Sequence, residues 1–235
     1  MQGPIIAIVI LAALGIVLWL TQRAKKVDEA GLAQLAQSRG WQYAKSYELS
    51  QLGSGNVLRY RFSNAQGEGG GWTLDVESTS VSGGPGGAAQ QSTIWRTDEI
   101  RLPDELILIG PRPEDMPPNL DFGGALTGMA LQMLLRTMFS GEAPDASRLH
   151  EVKDSGVARQ YLVFATDEAL LGRLVNSQTE SALSELAGSL KEKQRPAVVF
   201  WHRGLQVKCA GMITDHANLQ RIAALGEALK TAWLK

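Results

Sequence analysis

Three histidines, His150, His202 and His216, and a single cysteine, Cys209, are the sequence's whole supply of imidazole and thiol. A zinc site takes three or four such ligands, usually with close pairs among them. Here no two histidines stand at i,i+4, and one cysteine cannot make a Cys-x-x-Cys pair. Asp215-His216 reads as a helix N-cap followed by an exposed imidazole. Cys209 alternates with Val207 in a predicted strand, which places it on a core face as a small inert hydrophobe. Gly53-Ser54-Gly55 lacks the spacing and the strand-to-helix setting of a nucleophile elbow. The glycine-rich stretches 67–71 and 83–87 carry no Lys-Ser or Lys-Thr and open no helix, so they read as turns between strands rather than phosphate cradles.

The charged residues point the same way. Asp104-Glu105 and Glu114-Asp115 are acid pairs by sequence, but both sit beside prolines in loops, with no second acid placed opposite them. Arg59 and Arg61 share one strand face, with Arg96 and Arg101 as possible neighbours, and read as a solvated face rather than a binding patch. The 23 basic and 24 acidic residues leave a net charge of −1, so no field draws nucleic acid to the chain. No catalytic, metal-binding or cofactor-binding residue is assigned, and no cofactor is expected.

The elements that surround these residues begin with a membrane anchor. Residues 4–20, PIIAIVILAALGIVLWL, hold no charged side chain, and 11 of them are Leu, Ile or Val. Those residues favour insertion by about −3 to −7 kcal/mol. As a helix the run spans about 26 Å, against a hydrocarbon core of ~30 Å, and Trp19, Thr21 and Gln22 suit its interfacial end. A cleaved signal peptide would want a basic start and small residues after the apolar run. Met1-Gln2-Gly3 has no basic side chain, and the run ends in Leu18-Trp19-Leu20. Arg23, Lys25 and Lys26 follow directly, so the positive-inside rule puts the N-terminus outside and the rest in the cytoplasm. A lone cysteine, unable to form an internal disulfide, agrees. The frequent Ala, Leu, Gly and Arg read as a bacterial chain, whose membrane would then be the inner one.

The expected organisation is a transmembrane anchor over 1–22, a juxtamembrane helix over 23–40, an antiparallel β-rich half over 41–110, a Pro-rich linker and Met-rich helix over 111–150, and an α+β half over 151–235. The juxtamembrane helix covers 28–39, with Asp28 and Glu29 at its positive end and Gly40 as its cap. Apolar and polar residues alternate over 41–43, 58–62 and 72–76, as in half-buried antiparallel strands, 92–102 continues the pattern, and 106–109 is a short, fully apolar fifth strand. Together these predict a meander of four or five strands. Residues 111–118, PRPEDMPP, exclude helix and central strand. The last part predicts strand, helix, strand, strand, helix: a strand over 160–165, one or two helices over 167–193 with a Ser177/Glu180 capping box, a hairpin turned at 202–204, and a final helix over 215–234. The fold class is therefore α+β, with helices on one face of an antiparallel sheet.

Residues 122–139, FGGALTGMALQMLLRTMF, predict a helix with Gly124-x-x-x-Gly128, a spacing that lets helices approach closely. Gln132 and Arg136 weigh against a second span, since Arg costs ~2.5 kcal/mol or more near the bilayer centre. A core helix is the first reading, with a helix lying on the membrane or on a partner as the alternative.

The order of parts resembles a set of uncharacterised bacterial membrane-anchored proteins, a domain of unknown function. The residues that carry the resemblance are Arg39-Gly40-Trp41-Gln42-Tyr43 after the juxtamembrane helix, the Gly-rich meander, Leu102-Pro103, and the strand-to-helix junction from Tyr161 to Asp167. The resemblance implies the topology and no activity. The sequence thus reads as a single-pass protein with a non-enzymatic protein-interaction or scaffolding role, touching the lipid bilayer through residues 4–20. The alternatives are a membrane-proximal enzyme with its site between the two halves, and a membrane-surface or lipid-sensing module using residues 122–139.

Overall fold

A computed structural model of the chain describes residues 27–49, 55–64, 71–81, 90–112, 148–158 and 160–235. The anchor 4–20, the helix expected over 122–139, most of the Pro-rich stretch and the loops 83–87 and 67–70 lie outside them. Among the described residues no helix is long and apolar enough to cross a membrane.

Helix α1 (Glu29–Arg39) starts where expected. The Asp28 side chain accepts a hydrogen bond from the Gly31 amide at 3.0 Å, satisfying a donor that has no partner within the helix. It ends at Gly40, whose left-handed φ of 66° lets the Trp41 amide donate back to the Ala36 carbonyl at 2.8 Å. Glycine takes that conformation without the steric cost a Cβ would bring.

Strands β1 (Gln42–Leu49), β2 (Gly55–Ser63), β3 (Trp72–Val81) and β4 (Gln90–Thr97) form the antiparallel meander. Then come β5 (Ile107–Pro111), β6 (His150–Glu151), β7 (Tyr161–Ala165), α2 (Glu168–Leu174), α3 (Ser177–Ser189), a 3-10 turn (Glu192–Gln194), β8 (Ala197–Trp201), β9 (Gly204–Ala210) and α4 (His216–Leu234). All the strands join one sheet in the order β1-β2-β3-β4-β9-β8-β5-β7-β6, and every described pairing is antiparallel.

Two local expectations are corrected. The fifth apolar strand does not end the meander, because the β8–β9 hairpin inserts between β4 and β5. Leu106, Ile107, Leu108 and Ile109 are apolar on both faces and buried at 4% exposure or less, which an interior position supplies and an edge does not. Pro111 nevertheless ends this interior strand. The Arg112 amide donates to Gln160 of the β7 side, so the Pro111 nitrogen points toward β8, where the ladder has already stopped at Ile109. No bond is lost there. Helix α3 is capped by Asn176 rather than Ser177. The Asn176 Oδ1 accepts from the Gln178 and Thr179 amides at 3.0 and 3.1 Å, and the Thr179 hydroxyl accepts from the Asn176 amide at 2.8 Å. Starting one residue early puts buried Thr179, rather than Glu180, at the reciprocal position.

The core is legible as one row across the sheet. Phe62, Leu74, Trp95, Val207, Val198, Ile109 and Val163 are successive cross-strand partners, and none exceeds 1% exposure. The four described helices each contribute buried residues to the cluster built on this face, among them Leu32, Leu171, Leu186 and Leu229. Helix α4 lies over β4 and β9 with α2 and α3 against it, while α1 covers β1.

Candidate functional site

The described helices all pack on one face of the sheet, and the other face carries a distinct set of side chains. Its central row runs Gln42, Ser63, Thr73, Arg96, Gln206, Val199, Leu108, Phe164 by successive pairing. The row passes from polar in the meander to apolar in the later strands. Leu108, Val199 and Phe164 are buried, though they point away from the helix layer.

The polar half is an ion-pair network. Asp75, 1% exposed, accepts from Arg61 Nε at 2.6 Å and Nη2 at 3.1 Å, and from Arg96 Nη2 at 2.5 Å. Arg59 donates to Glu77 at 2.7 Å and reaches Glu48 at 3.4 Å. The arginines expected to share a solvated face therefore do share it, except Arg101, which pairs with Asp98 at 3.3 Å. Each of the others is matched by a carboxylate on the same or an adjoining strand, which single-strand alternation does not reveal.

Where this network gives way to the apolar half lies a cavity of about 340 Å³, near the lower end of the ~300–1,000 Å³ typical of ligand sites. Leu108, Leu162, Phe164 and Ala197 form an apolar floor beside Pro111, while Gln90, Gln91 and Ser92 face them from β4. Lys193, Arg195 and Lys208 also line it. Burial holds the Lys208 ammonium below the usual lysine range, and the Glu77 charge works against that shift. A lysine so depressed makes the fold gain stability as pH rises from the folded value to the unfolded one. No carboxylate, imidazole or thiol occurs among the described lining residues. A second hollow, of about 530 Å³, lies on the helix side between Trp41, Trp72 and α4. The Arg39–Gln220 hydrogen bond of 2.7 Å already joins two of its walls.

The remaining candidates disperse. His150 pairs with Glu168 at 3.4 Å, His202 meets the Trp201 ring edge-on in the hairpin turn, and His216 opens α4 beside Gly31. Asp215 caps that helix, accepting from the Asn218 amide at 2.9 Å. Glu105 is tied to Arg148 at 3.1 Å, and the Thr166 hydroxyl followed by that guanidinium holds its carboxyl below the usual range. Among the described residues no group of histidine, cysteine, aspartate or glutamate is arranged to hold a metal.

The chain matches no family model, no curated protein and no solved structure. Its functional reading rests on its own geometry.

Cys209 is fully buried, and burial pushes its thiol from about 9 up to about 12. The native protein is therefore expected to resist maleimide at pH 7.5 and to label at once in denaturant. A folded value above the unfolded one contributes stability that is complete below pH ~9 and is lost as pH rises toward 12. Unfolding of Cys209→Ala should accordingly depend less steeply on pH over 9–12 than that of the natural protein. Equal slopes would contradict the burial assignment.

Proposed function

We propose that the chain is a single-pass protein of a bacterial inner membrane, anchored by residues 4–20 with its N-terminus outside, whose cytoplasmic α+β domain holds a protein partner rather than performing catalysis. The observation that carries the reading is the chemistry of the cavity. Its apolar floor can accept buried side chains of a partner, and its amides and cations can fix a polar rim, the composition of a recognition pocket. No carboxylate, imidazole or thiol stands among the described lining residues to take up general acid–base work.

The tether is tested by extracting membranes with alkaline carbonate. The full chain should stay with the bilayer, and deletion of residues 4–20 should release it. A chain released with the anchor intact contradicts the tether. A reporter fused after Lys235 should be active only if it works in the cytoplasm, and periplasmic activity would reverse the orientation.

One observation favours a second reading, an enzyme with its site between the two parts of the sheet. The cavity adjoins Pro111 where the meander meets the later strands, and a desolvated lysine is a nucleophile closer to neutrality than an exposed one. Lys208→Arg separates the two. Arginine keeps the charge but cannot serve as an amine nucleophile, so binding predicts that this variant rescues a deletion strain and catalysis predicts that it does not.

A further inference from the structure

Strand β1 ends the sheet, and its outer backbone edge carries no described partner strand. Such an edge is a template for another chain, which proteins usually block with proline, a bulge or outward charges. Eight residues, QYAKSYEL, contain no proline and no glycine, and all eight pair with β2 in unbroken register. The two charges that could guard the edge are engaged inward. Lys45 Nζ lies 2.7 Å from Glu29 of α1 and above the Tyr60 ring, and Glu48 accepts from Arg59 of β2. Two of the large apolar side chains that stand most exposed in the described structure lie on this strand, Tyr47 at 67% and Leu49 at 84%.

We propose that β1 pairs antiparallel with β1 of a second copy of this chain, continuing the sheet across a two-fold axis at Ser46. The register follows from charge and face. In a continuous sheet, partners must share a face, so each residue meets one an even number of positions away. Centring on Lys45 would set two lysines opposite each other, and centring on Glu48 two glutamates, both unfavourable. Centring on Ser46 sets Tyr43 opposite Leu49 and Lys45 opposite Tyr47, twice each by symmetry. The exposed apolar groups then gain partners, a cation meets an aromatic ring, and Ala44 faces Glu48 without conflict. The strand's net charge is zero, so two copies meet without repulsion. A lone peptide could use the same backbone edge, but a second copy supplies this matched set of side chains from the sequence already present.

The test is cysteine crosslinking of the full chain in its membrane. Directly opposed residues of antiparallel strands have Cα atoms about 4.5–5.5 Å apart, within reach of a disulfide. Buried Cys209 is inaccessible background. Under mild oxidation, Ser46→Cys should give a dimer on non-reducing gels at least ten-fold more abundant than Ala44→Cys or Glu48→Cys, whose equivalents sit several residues apart in this register. Adding Tyr47→Lys and Leu49→Lys to Ser46→Cys should cut that dimer at least ten-fold while circular dichroism stays unchanged. No dimer from Ser46→Cys overturns the proposal, as do equal yields at all three positions. An adduct with a different protein, in place of the dimer, overturns it as well.

Discussion

Replacing Gly226 with alanine is expected to destabilise the protein by about 1–3 kcal/mol, although alanine is the better helix former. In an open helical position the same change gains roughly 0.5–1 kcal/mol, because glycine gives up more backbone freedom on folding. Gly226 lies inside α4, where a Cβ would overlap the Trp95 ring. Trp95 is fully buried at the centre of the core row and has Leu74 and Val207 as its cross-strand neighbours, so the ring can move only by displacing packed side chains. The steric term therefore wins over propensity. Gly188 in α3 is the control, since a Cβ there meets nothing within 4 Å. Thermal unfolding in detergent should show the midpoint falling for Gly226→Ala and rising slightly for Gly188→Ala. A rise for both would mean that α4 does not press on the sheet at Trp95.

The second large effect is expected at Asp75. Breaking a fully buried ion pair by removing one partner costs about 3–5 kcal/mol. Asp75 itself is buried, but the Arg61 and Arg96 side chains remain 39% and 45% exposed and can take up water when the carboxylate goes. Asp75→Asn should therefore cost less, about 1–3 kcal/mol, and leave two guanidiniums facing each other across β3. Substituting Arg61 or Arg96 alone should cost less than substituting Asp75. The double variants should be less destabilised than the sum of their parts, because a shared partner couples them. Strict additivity would show that Asp75 holds neither arginine.

Asp75 also shows where the sequence stops being informative. Its alternation in TLDV marks it as a solvent-side residue, and one strand cannot say otherwise. Its burial comes from Arg61 on β2 and Arg96 on β4, which reach it only once both registers are set. The four meander strands, the α1 and α4 caps, the β8–β9 hairpin (though its turn is His202-Arg203, with Gly204 already in β9) and the core-side placement of Cys209 were legible, because periodicity and capping are local. The insertion of β8–β9 between β4 and β5 was not. It pairs residues as distant as Ser92 and Ala210, and no local signal encodes such a partner. The cavity was hidden for the same reason. Gln91, Leu108, Phe164, Lys193 and Lys208 come from separate segments, and only the strand order brings them together.

That cavity is where a tethered binding domain is most directly put to the proof. A photoreactive phenylalanine analogue can be placed at Gln91, on the cavity wall, or at Ser184, exposed on the helix layer, in the full chain in living cells. Irradiation should give an adduct of defined mass at position 91, distinct from twice the chain's own. Lys193→Glu should reduce it at least several-fold, and position 184 should give none. No adduct at position 91, or the same adducts at both positions, would contradict a partner held in this cavity.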